Sequence, residues 1–321
     1  MAHTILVLAD PTERELALLE QLPSETTVAV GNQLDAFART AGQADVIFSW
    51  SYGRSLLAPL LEMAPNVRWI HSRSAGLDSV LFPELIASPV PLTNGRGVFS
   101  QSLGEFALAA VLYFAKDLRR MIRNQMAGRW DQFDVDEIST QTLGIVGYGD
   151  IGRAIAQRAK AMGMQVLAVR RNPARSNGDA FVDEVHGMDE LLPVLARCDH
   201  IAVAAPLTPD TQGLIGERAI DAMKPTATLI NVGRGPVIDE AALIAALRAQ
   251  RIKGAALDVF DEEPLPAGHP YYSMENLLLS PHCADHTSTW LADAMRFFLE
   301  QFERYRKGEP LENIVDKQAG Y

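Results

Sequence analysis

The sequence predicts an α/β chain with parallel sheets, and three observations carry that reading. Apolar strand-like runs alternate with helix-like stretches along most of the chain, the pattern of parallel sheets built from βαβ units. The apolar run 143–146 leads into Gly147, Gly149 and Gly152, then a helix-like stretch 153–162 closed by Gly163, then a second strand-like run 164–169. The chain is also long enough, at 321 residues with 48% hydrophobic, to fill two cores. Together they specify a Rossmann-type doubly wound parallel sheet plus a smaller flavodoxin-like α/β domain.

The first domain reads as strands at 4–8, 27–30, 45–50 and 67–72. Helices lie between them, from Asp10-Pro11-Thr12-Glu13 to about Leu22, at 34–40 and at 56–63. The domain ends near Gly97. After its fourth strand, Ser74, Ala75 and Gly76 are small residues whose backbone amides suit an anion, although an ordinary strand-to-helix loop reads equally well. A long helix over 101–125 follows, apolar at Leu103, Phe106, Ala107, Ala110, Val111 and Phe114. Such a helix must be buried, between domains or against another subunit. Arg119, Arg120 and Arg123 collect near its end, where the helix dipole favours cations.

The glycine turn opens the second domain. Gly147 permits the tight turn, Gly149 lets backbone approach a pyrophosphate, and Gly152 lets helix sit close to strand. The helix start at Asp150 and Ile151 offers free amides and the positive dipole end to phosphates. This is the dinucleotide-binding pattern in its strand-turn-helix-strand context. A helix at 188–195, strands at 199–205, 228–232, 254–260 and 277–280, and a helix at 240–249 complete it. A terminal helix over 287–307 returns to the first domain. The expected division is therefore 98–286 for the dinucleotide-binding domain, with 1–97 and 287–321 forming a discontinuous substrate domain.

The formal net charge of −11 argues against nucleic acid and anionic membranes as partners. It leaves room for an anionic substrate, because cations local to a cleft can outweigh the global sign. Two cysteines, Cys198 and Cys283, make no disulfide framework, so a reducing cytoplasm is the expected compartment. The chain opens on a strand without a leader pattern, and no apolar run has membrane-spanning length.

Three polar residues fall at the carboxyl ends of successive strands, the edge where open α/β sheets bind ligands: Arg234, Glu263 and His282. Arg234, flanked by glycines, can hold a carboxylate in a bidentate fork. His282 is the candidate acid/base, and Glu263 the carboxylate that would pair with it and fix its tautomer. Singly, these read as a capping cation, a surface charge and a loop histidine. As a set beside a dinucleotide site, they supply what hydride transfer to a keto acid requires.

The motifs Gly147-Tyr148-Gly149-Asp150-Ile151-Gly152, Pro206-Leu207-Thr208-Pro209-Asp210-Thr211, Asn231-Val232-Gly233-Arg234-Gly235, Leu257-Asp258-Val259-Phe260-Asp261-Glu262-Glu263-Pro264 and Ser280-Pro281-His282 occur in this order. Over essentially its full length the chain resembles the D-isomer-specific 2-hydroxyacid dehydrogenases, and within them the glyoxylate/hydroxypyruvate reductases. The resemblance implies a catalytic set of Arg234, Glu263 and His282. It implies cofactor contacts at the glycine turn, Pro206, Thr211, Val232, Gly233, Arg234, Asp258 and His282. It assigns the substrate to Ser74, Ala75, Gly76, Arg234 and His282, and it implies a homodimer through the helix from Gln101.

The chain departs from the family pattern twice. Where NAD enzymes carry an acidic residue for the ribose hydroxyls, it has Arg170 and Arg171, with Arg175 nearby and no acidic residue between Asp150 and Asp179. Arginines suit a 2′-phosphate, so NADP is expected in preference to NAD, a solvated basic loop being the other reading. After His282 come Cys283, Asp285 and His286 where small residues are usual. These could shape a pocket, and no second ligand group supports a metal site there. The expected reaction is reduction of a small 2-keto acid to the D-2-hydroxy acid. The alternatives are a phosphoglycerate dehydrogenase-like enzyme, a formate dehydrogenase of the same fold, which places glutamine where Glu263 stands, and a non-enzymatic NAD(H)-sensing corepressor. Side-chain selectivity is expected from 50–52, 73–77 and the surroundings of Trp290.

Overall fold

The computed structural model describes residues 2–321. They form two compact units, one running up to Phe99 and resuming over Ser288–Tyr321, the other spanning Ser100–Thr287.

In the first unit, β1 (Thr4–Leu8), β2 (Thr27–Gly31), β3 (Val46–Ser49), β4 (Trp69–Ser72) and β5 (Leu92–Asn94) make a parallel sheet in the order β2-β1-β3-β4-β5. Helices α1 (Arg54–Met63) and α2 (Pro83–Ala87) lie between strands. β3 and β4 are buried at every residue, as parallel strands covered on both faces must be. Leu56, Leu57 and Leu60 of α1 pack with Leu6, Leu8, Ile47, Ile70 and Leu92.

The expected helix after Pro11 is a 3-10 helix over Arg14–Gln21. Glu13 stands at its cap position, but its carboxylate accepts from Trp50 Nε1 (2.5 Å) and Ser51 Oγ (2.6 Å) and caps nothing. Pro23 then prevents extension. The expected helix over 34–40 is likewise reduced to 3-10 turns at Leu34–Phe37 and Ala41–Gln43.

The second unit begins with α3 (Ser100–Ala115) and α4 (Leu118–Met126). The single helix expected over 101–125 is thus two. Asp117 takes a left-handed backbone (φ 48°), and its carboxylate accepts from Arg120 N at 3.3 Å, closing one helix and capping the next. This overturns the dipole argument for Arg119 and Arg120, which sit in the first turn of α4, while Arg123 does fall in its last turn. They are held by specific partners: Arg120 by Asp131 (2.7 Å), Arg123 by Glu275 (2.8 Å), and Arg119 by the carbonyls of Met274 and Leu277.

Next come β6 (Thr142–Val146), α5 (Asp150–Ala161), β7 (Gln165–Val169), β8 (Glu184–His186), α6 (Leu191–Leu195), β9 (His200–Val203), α7 (Glu217–Asp221), β10 (Thr228–Asn231), α8 (Glu240–Arg248), β11 (Gly254–Leu257) and β12 (Leu277–Leu279). The buried face of α3 meets α5 within this same unit. A Cβ on Gly104 would lie 3.1 Å from the Ala154 backbone, so the two helices touch almost backbone to backbone. The sheet is parallel, in the order β12-β11-β10-β9-β6-β7-β8. The chain leaves β6 towards β7 and β8, then returns to β9 on the other side. The switch point falls between β6 and β9, with the glycine turn directly above it.

The last helix, α9 (Trp290–Lys307), belongs to the first unit. Met295, Phe298 and Phe302 on one face are fully buried or nearly so, and Phe298 stacks on Phe48 at 3.9 Å between centroids. Each such aromatic contributes about 1.5–3 kcal/mol of burial. No helix among the described residues is long and apolar enough to cross a membrane.

Candidate active site

The glycine turn is built from three different requirements. Gly147 has φ 94°, and a Cβ there would lie 2.5 Å from Ala205 N, so both conformation and space demand glycine. Gly152 is packed against the turn itself, where a Cβ would meet Gly147 O at 2.4 Å. Gly149 is different: a Cβ there would find no protein atom within 4 Å. Nothing in the fold forbids a side chain at Gly149, so the space above it suits a ligand approaching the backbone. Gly149 and Asp150 are exposed, Ile151 is half-buried, and α5 starts here with no side-chain cap on its amides. The residues fit a dinucleotide pyrophosphate.

At the same sheet edge, Asn231, Leu257 and Leu279 are aligned in register on β10, β11 and β12. The next residues continue the ladder by one bond each, Asp258 N to Asn231 O (3.1 Å) and Ser280 N to Leu257 O (2.9 Å). Arg234, Asp258 with Glu263, and Ser280 with His282 therefore leave three adjacent strands at one level.

Arg234 is braced from below. Asn231, 1% exposed, accepts from Gly233 N and donates to Arg234 O, both at 3.0 Å, and Arg234 Nη1 donates to Gly233 O at 2.8 Å. Gly235 must lack a side chain, because a Cβ would fall 2.0 Å from the Phe260 carbonyl carbon. Val232 and Gly233 are buried, Val232 N bonding Val203 O.

Glu263 holds His282. Its Oε2 lies 2.6 Å from His282 Nδ1, while its Oε1 accepts from Phe260 N at 2.9 Å. With Nδ1 committed to a carboxylate, the other ring nitrogen is the one left to exchange a proton in any acid/base role. His282 itself has a left-handed backbone, φ 51°.

Asp258 is 1% exposed. Burial pushes its carboxyl above the usual range, opposed by the Ser280 hydroxyl and the Ala284 amide. Its Oδ1 accepts from Ser280 Oγ (2.6 Å), Cys283 N (3.0 Å) and Ala284 N (3.0 Å). The sequence motifs contain Ser280 and Asn231 without assigning them a role, and their partners become visible only in the fold.

Arg170 follows β7, donates to Ser176 Oγ and is half-buried, while Arg171 and Arg175 are exposed. Thr211 folds the turn after β9 by bonding Pro206 O at 2.6 Å. Cys283 is exposed, with Sγ 3.6 Å from Ser280 Oγ, and His286 Nε2 lies 3.7 Å from Asp285 Oδ1. Within the first unit, Ser74, Ala75 and Gly76 are half-buried, and Asn94 Nδ2 holds Ala75 O at 2.7 Å. The preceding Arg73 lies between the Trp50 and Trp290 rings, 4.8 and 5.4 Å from their centroids.

Comparison with known proteins decides the family. The family model for the D-isomer specific 2-hydroxyacid dehydrogenase NAD binding domain matches residues 108–284, more than half of the chain. The chain belongs to the D-isomer specific 2-hydroxyacid dehydrogenase family, and with it to the NAD(P)-dependent oxidoreductases. It is 32% identical over 272 residues to a glyoxylate reductase of Korarchaeum cryptofilum, covering 82% of this chain and 80% of that protein. It is 29% identical over 317 residues to a D-3-phosphoglycerate dehydrogenase of Methanocaldococcus jannaschii, covering 97% of this chain but only 59% of that longer protein. A D-isomer specific 2-hydroxyacid dehydrogenase from Xanthobacter autotrophicus Py2, solved with NADPH and MES, superposes with a TM-score of 0.86 at 30% identity, each chain covered in full.

Proposed function

We propose that this dehydrogenase-family chain reduces a small 2-keto acid, glyoxylate or hydroxypyruvate, to the D-2-hydroxy acid, using NADPH in preference to NADH. The observation that carries the proposal is the His282–Glu263 pair, 2.6 Å apart, at the edge that also bears Arg234. A sensor needs a cofactor pocket but no such acid held in place. The glyoxylate reductase relative and the NADPH in the Xanthobacter structure support the substrate class and the cofactor.

In this reading Gly147, Gly149, Asp150, Ile151 and Gly152 hold the pyrophosphate. Pro206, Thr211, Val232, Gly233, Arg234, Asp258 and His282 line the rest of the cofactor, and Arg170 with Arg171 take the 2′-phosphate. The nicotinamide, when bound, supplies the hydride. Arg234 binds the substrate carboxylate and polarises the carbonyl. His282 gives a proton to the carbonyl oxygen as it becomes the hydroxyl, and Glu263 keeps the imidazole oriented and neutralises its charge. In the first unit, the amides of Ser74, Ala75 and Gly76 suit the substrate's carboxylate. The first unit is accordingly the substrate domain and the second the dinucleotide-binding domain. The exposed apolar side chains Met121, Ile122, Met126 and Trp130 on and after α4 are assigned to a homodimer face.

The test is His282→Asn. The variant should still bind NADPH and lose turnover of glyoxylate by about 10²–10⁴-fold, the usual share of a general acid. A variant that reduces glyoxylate at the wild-type rate would remove His282 from the mechanism. A wild-type protein that binds cofactor but turns over neither keto acids nor 3-phosphoglycerate would favour the sensor.

A further inference from the structure

We infer that Ser280 is a positioning residue: through the buried carboxylate of Asp258 it locks the loop that presents His282 to Glu263. The inference rests on the reading of His282 as the proton donor and adds the device that holds it there.

Three donors converge on one oxygen. Ser280 Oγ reaches Asp258 Oδ1 from the residue two before His282, and the amides of Cys283 and Ala284 reach it from the two residues after. The loop is thus closed on both sides of His282 around a single buried anion. This closure matters because His282 sits at φ 51°, a conformation a non-glycine residue adopts only where its surroundings impose it. The pair His282–Glu263 is itself open to solvent, with side chains 43% and 34% exposed, so packing does not hold the ring. The restraint comes from beneath, where Ser280 is 8% and Asp258 1% exposed. Of the three donors only the serine hydroxyl is a side chain, so it is the one that sequence can change without altering the backbone. Its loss also leaves the buried carboxylate one donor short, since burial pushes that carboxyl upward and the Ser280 bond is the foremost effect opposing it.

The experiment compares Ser280→Ala, which deletes one atom, with Ser280→Thr, which keeps the hydroxyl. Two readouts are taken on the full chain. The first is kcat for glyoxylate with NADPH, per cofactor-binding site. Ser280→Ala should lose about tenfold in kcat, a fraction of a general acid's contribution, and Ser280→Thr should restore it. The second needs no turnover. The His282 ring resonance, assigned by its absence in His282→Asn, should shift on Glu263→Gln in the wild-type background. In Ser280→Ala that shift should be lost, because the ring no longer rests on Glu263. An unchanged kcat together with an undiminished shift in Ser280→Ala would overturn the inference. If the wild type shows no turnover, the functional reading fails while the resonance comparison still decides the role of Ser280. A lower melting temperature alone, with kcat and the shift intact, would make Ser280 merely structural and also overturn it.

Discussion

Replacing Glu263 by glutamine isolates what the carboxylate does for His282. The substitution conserves volume and faces a dilemma that the structure makes explicit. Glu263 spends Oε1 on Phe260 N and Oε2 on His282 Nδ1. A glutamine can offer its oxygen to only one of them. If the oxygen stays with Phe260 N, the amide NH2 faces Nδ1 and supplies no negative charge opposite the ring. If the amide turns over, the ring keeps an acceptor and Phe260 N–H loses one. Either way the ring loses its charged acceptor opposite Nδ1, and a hydrogen bond to a charged partner is worth about 1.5–3 kcal/mol in general. Both side chains are a third or more open to solvent, so the lower end applies. At about 1.4 kcal/mol per factor of ten, kcat for 2-keto acid reduction should fall about tenfold, with NADPH affinity unchanged. The assay is the initial rate of NADPH absorbance loss at saturating glyoxylate, with cofactor Kd from fluorescence. A Glu263→Gln variant with wild-type kcat would refute the reasoning, and one that loses NADPH binding would relocate the residue's role to the cofactor.

Further predictions follow from single positions. Gly147→Ala, which places a methyl 2.5 Å from Ala205 N at φ 94°, should lower the melting temperature markedly. Gly149→Ala, which meets no protein atom within 4 Å, should melt like the wild type and lose cofactor affinity; equal effects on folding from both would contradict the division of roles. Arg171→Ala should lower the ratio of kcat/KM with NADPH to that with NADH by about tenfold or more, and an unchanged ratio would leave the basic cluster as a solvated loop. Burial holds His200 neutral, its pKa pushed down from 6.5 to about 4, and holds His71 down at about 3. The unfolded chain therefore takes up protons first, so stability should be level above about pH 6.5 and fall as pH drops from there towards about 4. Urea midpoints that stay flat over that window would contradict the burial of both rings.

The glycine turn and its two strands were legible because period, length and glycine spacing all agree over 143–169. The ends of β10, β11 and β12 were legible for the same reason, and adjacency of successive strands set the segments that bear Arg234, Glu263 and His282 at one sheet edge. What the sequence concealed was local. The break at Asp117 carries no proline or glycine, only an aspartate able to adopt a left-handed backbone and cap α4. The 3-10 segments after Glu13 and Gln33 keep a helical composition, and hydropathy does not separate i→i+3 from i→i+4 bonding. β5, β8, α2 and α7 span three to five residues, too short to show a period. Ser280 and Asn231 stand in recognisable motifs, but their roles are concealed because a buried hydrogen bond between residues 22 apart leaves no trace in either residue's neighbours along the chain. Asn231 bonds closer to hand, but its two partners are backbone atoms, which any sequence supplies.

The central claim is that this chain is a keto acid reductase that favours NADPH. The measurement that tests it most directly is the loss of reduced-nicotinamide absorbance with NADPH and NADH side by side, against glyoxylate and hydroxypyruvate. The account predicts turnover of at least one of them with a higher kcat/KM for NADPH. Faster turnover with NADH, or none with either cofactor in a protein that binds both, would contradict it.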